Sequence, residues 1–473
     1  MSFENKKITN LYKRGMRALL ALLLSMAVFS SCGRPASGDA SQPMQSSVPG
    51  DTSLSMQSPL PGDASQPTQS PLPGDVSQPT QSSVPGDASQ PMQSWDPEET
   101  VQPMQSQKPE ASVPTPEPTL APTPEPTPVP EVKLVMVGDI LLHTPLAESG
   151  KSPEGGYDFS AVFANLREEI EAADVALVNQ EVIIGGAELG VSGYPSFNAP
   201  YELGDALAET GFDVVLHATN HALDKRKQGI LNCLSFWREN YPDMAVLGIH
   251  DSQESQQDIY VYEQQGIRIA VLNYTYGTNG VPLPEDMPYA VDMLQKDRVA
   301  ADLKRAQELA DFVIVCPHWG KEYVLEQTKD QENWAKLFAE NGADLVLGTH
   351  PHVIEPIEQV ASANGNQALV YYSLGNFVNW TSGTGAGVAN RMVGGMAQVT
   401  VSLNESGDAV IKEYGVLPVV CHVEKGFGGV TVYPLSEYTE ELAARNEIVK
   451  QDGSFSLQYC RELAEQVFGD AIK

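Results

Sequence analysis

Apolar residues are spaced along this chain in three regimes. An uncharged run, ALLALLLSMAVF (residues 18–29), follows a start rich in lysine and arginine. The next hundred or so residues carry no periodic apolar pattern. From residue 132 onward, short apolar runs alternate with stretches whose apolar positions recur at helical spacing. VKLVMVGD, VALVNQE, FDVVLHATNH, MAVLGIH, FVIVCPHWG and DLVLGTHPH have the length of strands. DFSAVFANLREEIEAAD (residues 158–174) predicts a helix with Phe159, Val162, Phe163, Leu166 and Ile170 on one face. APYELGDALAETG predicts another, ended by Gly211, and DKRKQGILNCLSFWREN, DRVAADLKRAQELAD and ENWAKLFAENGA predict three more. IYVYEQQGIRIAVLNYTY reads as a hairpin turning at residues 264–266. The alternation implies an α/β fold with a largely parallel, covered sheet. After Gln367 strands dominate, in ALVYYSLGNF, GMAQVTVSLN, AVIKEYGVLPV and GVTVYPL, and predict a second sheet laid on the first. SLQYCRELAEQVF closes the chain as a helix.

The first two regimes read as an address and a spacer. A basic start and a short uncharged run make a secretory signal, too short for the ~20 apolar residues of a comfortable span. FSSC places small residues before Cys32, as in a bacterial lipobox, so residues 1–31 are expected to be a lipoprotein signal peptide with Cys32 lipidated. That expectation puts the protein outside the cytoplasm, anchored to the bacterial cell membrane. Residues 32–131 follow, with four copies of a 12-residue unit such as PLPGDASQPTQS and then TPEPTLAPTPEPTPVPE. They lack apolar residues to bury and favour extended polyproline II. A disordered stalk is expected, with a fully extended reach of roughly 300 Å. The folded part is expected in residues 132–385, completed by C-terminal strands and a helix in residues 386–473.

The formal charge of −32 over 473 residues argues against a nucleic-acid partner, which would need a basic surface, and against adhesion to anionic lipid by charge alone. Cys233, Cys316, Cys421 and Cys460 are widely spaced, with no CxxC, which disfavours a disulfide framework or zinc knuckle. Cys233 and Cys316 read as buried thiols; a Cys421–Cys460 bridge stays open.

Each apolar run ends in a candidate ligand: Asp139, then Asn179 and Glu181, then Asn220 and His221, then His318, then His350 and His352. Ligands of open α/β sheets sit beyond the carboxyl ends of the strands, so segments far apart in sequence can converge on one crevice. A strand would also turn His350 and His352 to the same side. Imidazole, carboxylate and amide oxygen together suit a divalent transition metal, Mn, Fe or Zn, better than Mg or Ca.

VMVGDILL, VNQEVII, ATNHALD, PHWGKEY, GTHPHVIEPIE and YYSLGNFV, in this order, resemble the capsule-biosynthesis CapA family, also called poly-γ-glutamate synthesis proteins. The resemblance implies a metallophosphoesterase-like layered sandwich of the calcineurin type, with two β-sheets flanked by helices and one or two metal ions. It implies Asp139 and His352 at one metal, Asn220, His318 and His350 at the other, Glu181 bridging, and His221 as the acid that protonates the leaving group. The chain departs from the pattern where Leu141 replaces a histidine, with His143 an open substitute, and where glutamate replaces the bridging aspartate. Glu322 and Asn376 are candidates to line a substrate crevice; Trp319, Tyr323, Tyr372 and Phe377 either join them or pack its floor. Three functions follow: a metal-dependent hydrolase or transferase acting on a phosphoester or polymer, a non-catalytic accessory that binds an anionic extracellular polymer, and a metal-free surface module. Polymer-synthase membrane proteins are the partners this process implies.

Overall fold

The computed structural model describes residues 129–473. The expected signal peptide, Cys32 and the stalk through residue 128 lie outside the described residues. β1 (Glu131–Ile140) opens the folded part and runs parallel to β2 (Val175–Asn179), which continues in parallel to β3 (Val214–Leu216) and β4 (Ala245–Leu247). The predicted hairpin forms from β5 (Tyr260–Gln264) and β6 (Ile267–Thr275), with Gln265 and Gly266 at positive φ in its turn. β6 then begins a second parallel set with β7 (Phe312–His318) and β8 (Leu345–Leu347). β9 (Ile354–Ala361) and β10 (Gln367–Leu374) complete this sheet, β10 lying parallel to β8 and antiparallel to β9. β11 (Asn376–Val378), β12 (Val393–Leu403), β13 (Ala409–Val423) and β14 (Val430–Pro434) return to the first sheet.

The result is an eight-stranded sheet, ordered β14-β13-β12-β1-β2-β3-β4 with β11 beside the end of β1, and a six-stranded sheet, ordered β5-β6-β7-β8-β10-β9. This corrects the expectation that the late strands form a sheet of their own. β12 pairs antiparallel with β1, Met136 opposite Ala397, whereas β10 joins β8. The parallel strands, expected in one sheet, are divided between two. Strands buried on both faces carry no polar stripe to mark which sheet they join.

Alternation along the second sheet places the layers. Ile314, Cys316, Leu345 and Leu347 belong to the core shared with the first sheet. Their neighbours Val313, Val315 and Val346 face a second core with Val299 and Leu303 of the helix Lys296–Leu309 and Trp334 and Phe338 of the helix Lys329–Glu340. The helices Tyr201–Thr210 and Arg226–Asn240 bury Leu207, Cys233 and Trp237 in the main core. The chain is therefore α/β, with two sheets flanked by helices. Phe338 packs between Trp319 and Trp334, with ring centroids 5.7 and 5.6 Å away, and truncating it to alanine would cost about 3–5 kcal/mol.

Helix 158–174 is shorter than its spacing predicts. Only Arg167–Ala172 is α-helical, after a single 3-10 turn at Ala164–Leu166. The Ser160 N–H donates to Asp158 Oδ1, and the Val162 carbonyl accepts from the Val432 N–H, so this backbone is used elsewhere. All five predicted apolar residues are buried nonetheless. Cys233, Cys316, Cys421 and Cys460 are buried free thiols, so the Cys421–Cys460 bridge is absent. Among the described residues, no helix is long and apolar enough to cross a membrane.

Candidate metal centre

The site is assembled at the carboxyl ends of β1, β2, β3, β7 and β8. β1 reaches it through a close backbone approach: a Cβ on Gly138 would lie 1.9 Å from the Gly375 carbonyl oxygen, so only glycine fits. The Asp139 N–H donates to that carbonyl at 2.9 Å. Asp139 sits opposite Asn179 on one side and Asn376 on the other. Asn179 Nδ2 donates to Asp139 Oδ1 at 2.8 Å, which aims the carboxylate.

The histidine pair does not arise from strand alternation. β8 stops at Leu347, and His350 and His352 lie on the following loop with φ of 100° and 58°. Left-handed backbone at non-glycine residues costs on the order of 1–3 kcal/mol each, so the surrounding structure holds both in place. The turn brings the His350 N–H to the Asp139 carboxylate, 3.2 Å from Oδ2. It also sets the His350 and His352 rings 5.7 Å apart.

The donor atoms converge in two groups that share Glu181. Glu181, His318 and His350 form one, and Asp139, Glu181 and His352 the other, with each set of donor atoms within 4.8 Å of one another. Glu181 Oε1 lies 3.7 Å from His318 Nε2 and 3.6 Å from His352 Nε2. His318 is oriented by Thr349 Oγ1, 3.1 Å from Nδ1, and its Nε2 lies 3.0 Å from Asn220 Oδ1. The site residues predicted at the metals thus come together, Asn220 beside His318.

Burial sets the electrostatics. It pushes the Glu181 carboxyl well above the usual range, and the negative Asp139 adds to this against the opposing His352. It pulls His318 and His350 well below the usual imidazole range, helped by neighbouring imidazoles. At His352 burial also acts downward, but Glu181 and Asp139 outweigh it and raise the value to about 9. Neutral imidazoles are metal ligands as they stand, whereas Glu181 needs a positive partner to ionise. Both Glu181 oxygens and His350 Nδ1 are buried without a hydrogen-bond partner. Unpaired donor atoms of this kind, in a mixed imidazole and carboxylate set, fit a divalent transition metal.

Other predicted residues take different places. His221 Nε2 faces Glu181 Oε1 at 3.9 Å, and its Nδ1 lies 2.7 Å from Asp224 Oδ2. The Phe197 N–H holds the same Asp224 oxygen at 2.7 Å. Asp224 is not among the residues that the strand-end pattern singles out, although its position three residues after His221 is visible in ATNHALD. Glu322, expected at the crevice, does line it and is also within ligand reach of His350 and His352. Asn376 lies beneath the crevice, fully buried, with both ends of its amide engaged. Its Oδ1 is 3.1 Å from His352 Nδ1 and its Nδ2 donates to the His352 and Arg391 carbonyls, so it positions His352 instead of lining the crevice. His143 lines the crevice edge-on to Phe197 but stands outside every converging donor group among the described residues, and burial, with His352 and His221 adding to it, pulls it down to about 4. Leu141 faces the same crevice and supplies no ligand atom. Trp319, Tyr372 and Phe377 are buried packing; Tyr323 is exposed along the wall.

A family model described as bacterial capsule synthesis protein PGA_cap matches residues 133–381. The PGA biosynthesis protein CapA of Bacillus subtilis (strain 168) is 32% identical over 188 residues, covering 37% of this chain and 45% of that protein. The capsule biosynthesis protein CapA of Bacillus anthracis is 31% identical over 193 residues, covering 39% and 45%. The matched stretch therefore spans less than half the length of these curated relatives. Among solved structures, the Haemophilus influenzae NAD nucleotidase aligns over 73% of this chain and 64% of its own, at 13% identity and a TM-score of 0.40. A 5'-nucleotidase precursor from Thermus thermophilus aligns over 71% and 58%, at 13% identity and a TM-score of 0.37. At these scores neither likeness bears on activity. The family match, by contrast, covers more than half of the residues and every motif strand that feeds the crevice, and on that ground the chain belongs to the bacterial capsule synthesis protein family PGA_cap.

Proposed function

We propose that this chain is a metal-dependent hydrolase or transferase of capsule or poly-γ-glutamate synthesis, acting outside the cytoplasm on a phosphoester or anionic polymer and anchored through lipid at Cys32. One observation carries the reading: Glu181 is fully buried between His318 and His352 with neither oxygen hydrogen-bonded. A structural acid in such a place would be expected to have a hydrogen-bond donor. Asp139, Glu181 and His352 would hold one ion, and Glu181, Asn220, His318 and His350 a second.

Bound there, a divalent ion supplies Lewis acidity to an oxygen of the reacting group. The chain's own residues do the rest. Asp224 fixes the His221 ring through Nδ1, leaving Nε2 directed to the centre to give a proton to the leaving group. Asn376 holds His352, and Thr349 holds His318, so the donors are positioned before substrate arrives.

The test compares the full chain, loaded with Mn or Zn, with its His221→Ala variant on an aryl phosphate. The variant should retain its metal and lose turnover by about 10²–10⁴-fold. A fully loaded parent with no turnover on phosphoesters or on γ-linked glutamate oligomers would overturn the catalytic reading in favour of a polymer-binding accessory.

A further inference from the structure

A crevice of about 890 Å³ runs from Asn220, His221 and His352 at the metal centre to Thr381 and Arg391. Arg391 has an unusual setting in an acidic chain with 61 Asp and Glu against 29 Lys and Arg. Arg238, Arg268, Arg298, Arg305 and Arg445 each hold a carboxylate. Arg391 holds none among the described residues. Its guanidinium lies over the Tyr323 ring, 3.5 Å from the centroid, and one Nη donates to Thr381 Oγ1. Its carbonyl accepts from Asn376 Nδ2 at 2.9 Å, which ties its backbone to the residue that positions His352. Head and backbone are both fixed, and a guanidinium has five N–H donors, of which one is used by Thr381, so donors remain for a ligand in the crevice that Arg391 lines.

We propose that Arg391 is a specificity residue that takes a second oxyanion of the substrate, a pendant carboxylate or phosphate carried beside the group that reacts at the metal centre. The inference deepens the proposed function and rests on its placement of the reacting group. The planar fork suits either oxyanion in a bidentate contact, and stacking on Tyr323 limits the orientations lost on binding. Within the crevice, Arg391 and the proposed metal centre are the elements that attract such a ligand, against the negative Glu322 on the same wall.

The test titrates the full chain, with and without EDTA, with three probes: a γ-linked glutamate tetramer with free α-carboxylates, the same tetramer as α-carboxamides, and pyrophosphate. The parent should bind the carboxylate tetramer at least about tenfold more tightly than the carboxamide, and Arg391→Gln should erase that difference while keeping its metal content. Arg391→Lys, which keeps charge and loses the fork, should fall between. Selective loss of pyrophosphate binding in Arg391→Gln would assign the pendant group as phosphate and equally support the oxyanion role. Parent-like binding of all three probes by a folded Arg391→Gln would overturn it. Should that variant fail to fold, Thr381→Val, which frees the fork from its hydroxyl anchor, must weaken the charged probes selectively or the proposal fails. A parent without metal would refute the proposed function instead, because the EDTA titrations still report on Arg391.

Discussion

Glu181 and Glu355 are both completely buried, yet their surroundings differ in kind. Glu355, on β9, accepts from Gln331 Nε2 at 2.6 Å, and Gln331 belongs to the capping box that starts the helix Lys329–Glu340. Burial lifts the Glu355 carboxyl to about 8 against the opposing pull of that hydrogen bond. Glu181 has no donor at either oxygen and is surrounded instead by His221, His318 and His352 at 3.6–3.9 Å. Burial raises both carboxyls, but Glu355 is given an amide at one oxygen. A buried acid with two unpaired oxygens among imidazoles is the arrangement proposed here to serve a cation.

Breaking the Glu181 side should have the largest effect. Glu181→Ala should weaken ion binding at both groups by more than about 100-fold, beyond the 10–100-fold cost typical of removing a residue that only supports a ligand. Titration calorimetry with Zn or Mn reads this directly; parent-like affinity would make Glu181 another Glu355.

The Glu355 side is tested by pH. Below about 4.5 its carboxyl is neutral in folded and unfolded chains alike. Between there and about 8 the unfolded chain ionises it while the folded chain does not, so stability falls as pH rises through this window. The loss is on the order of 3 kcal/mol by pH 7. Glu355→Gln should remove that part of the slope, so its advantage over the parent in denaturant unfolding should grow from pH 5 to pH 8. A constant difference across the window would contradict a neutral buried acid.

Two ions bound as proposed should separate at the histidines. His350→Ala should empty the group shared with His318, and His352→Ala the group shared with Asp139, each by at least about tenfold in affinity. The Asp139 group should be the leakier in the parent, because Leu141 supplies no ligand there. Equal loss of both ions from either variant would mean a single shared site. The smallest effect is expected at Asn376→Ala, about tenfold at the Asp139 group alone, with the His350 group unchanged.

Much of this candidate centre is readable in the chain because each candidate ligand follows an apolar run. Asp139, Glu181, Asn220, His318, His350 and His352 stand at or just beyond strand ends, and parallel strands carry such residues to one edge. Other features leave no such trace. The positive φ of His350 and His352 depends on the loop's fit against Asp139, which no spacing encodes. The division of the parallel strands between two sheets is invisible where both faces of a strand are apolar. Asp224 is identified by one hydrogen bond to His221. Arg391 comes from a 3-10 turn, Val388–Met392, beyond the last motif, and only the crevice shows what it faces. Asn376 has a readable motif, but its burial turns an expected substrate contact into support for His352.

On the proposed function, Glu181 is left unpaired for the sake of bound cations. Elemental analysis of the purified full chain beside Glu181→Gln, which keeps the size of the side chain and removes its charge, tests it most directly. About two transition-metal ions are expected per parent chain and almost none in the variant, with both proteins folded. A metal-free parent after growth and purification with Mn and Zn supplied, or an undiminished metal content in Glu181→Gln, would contradict it.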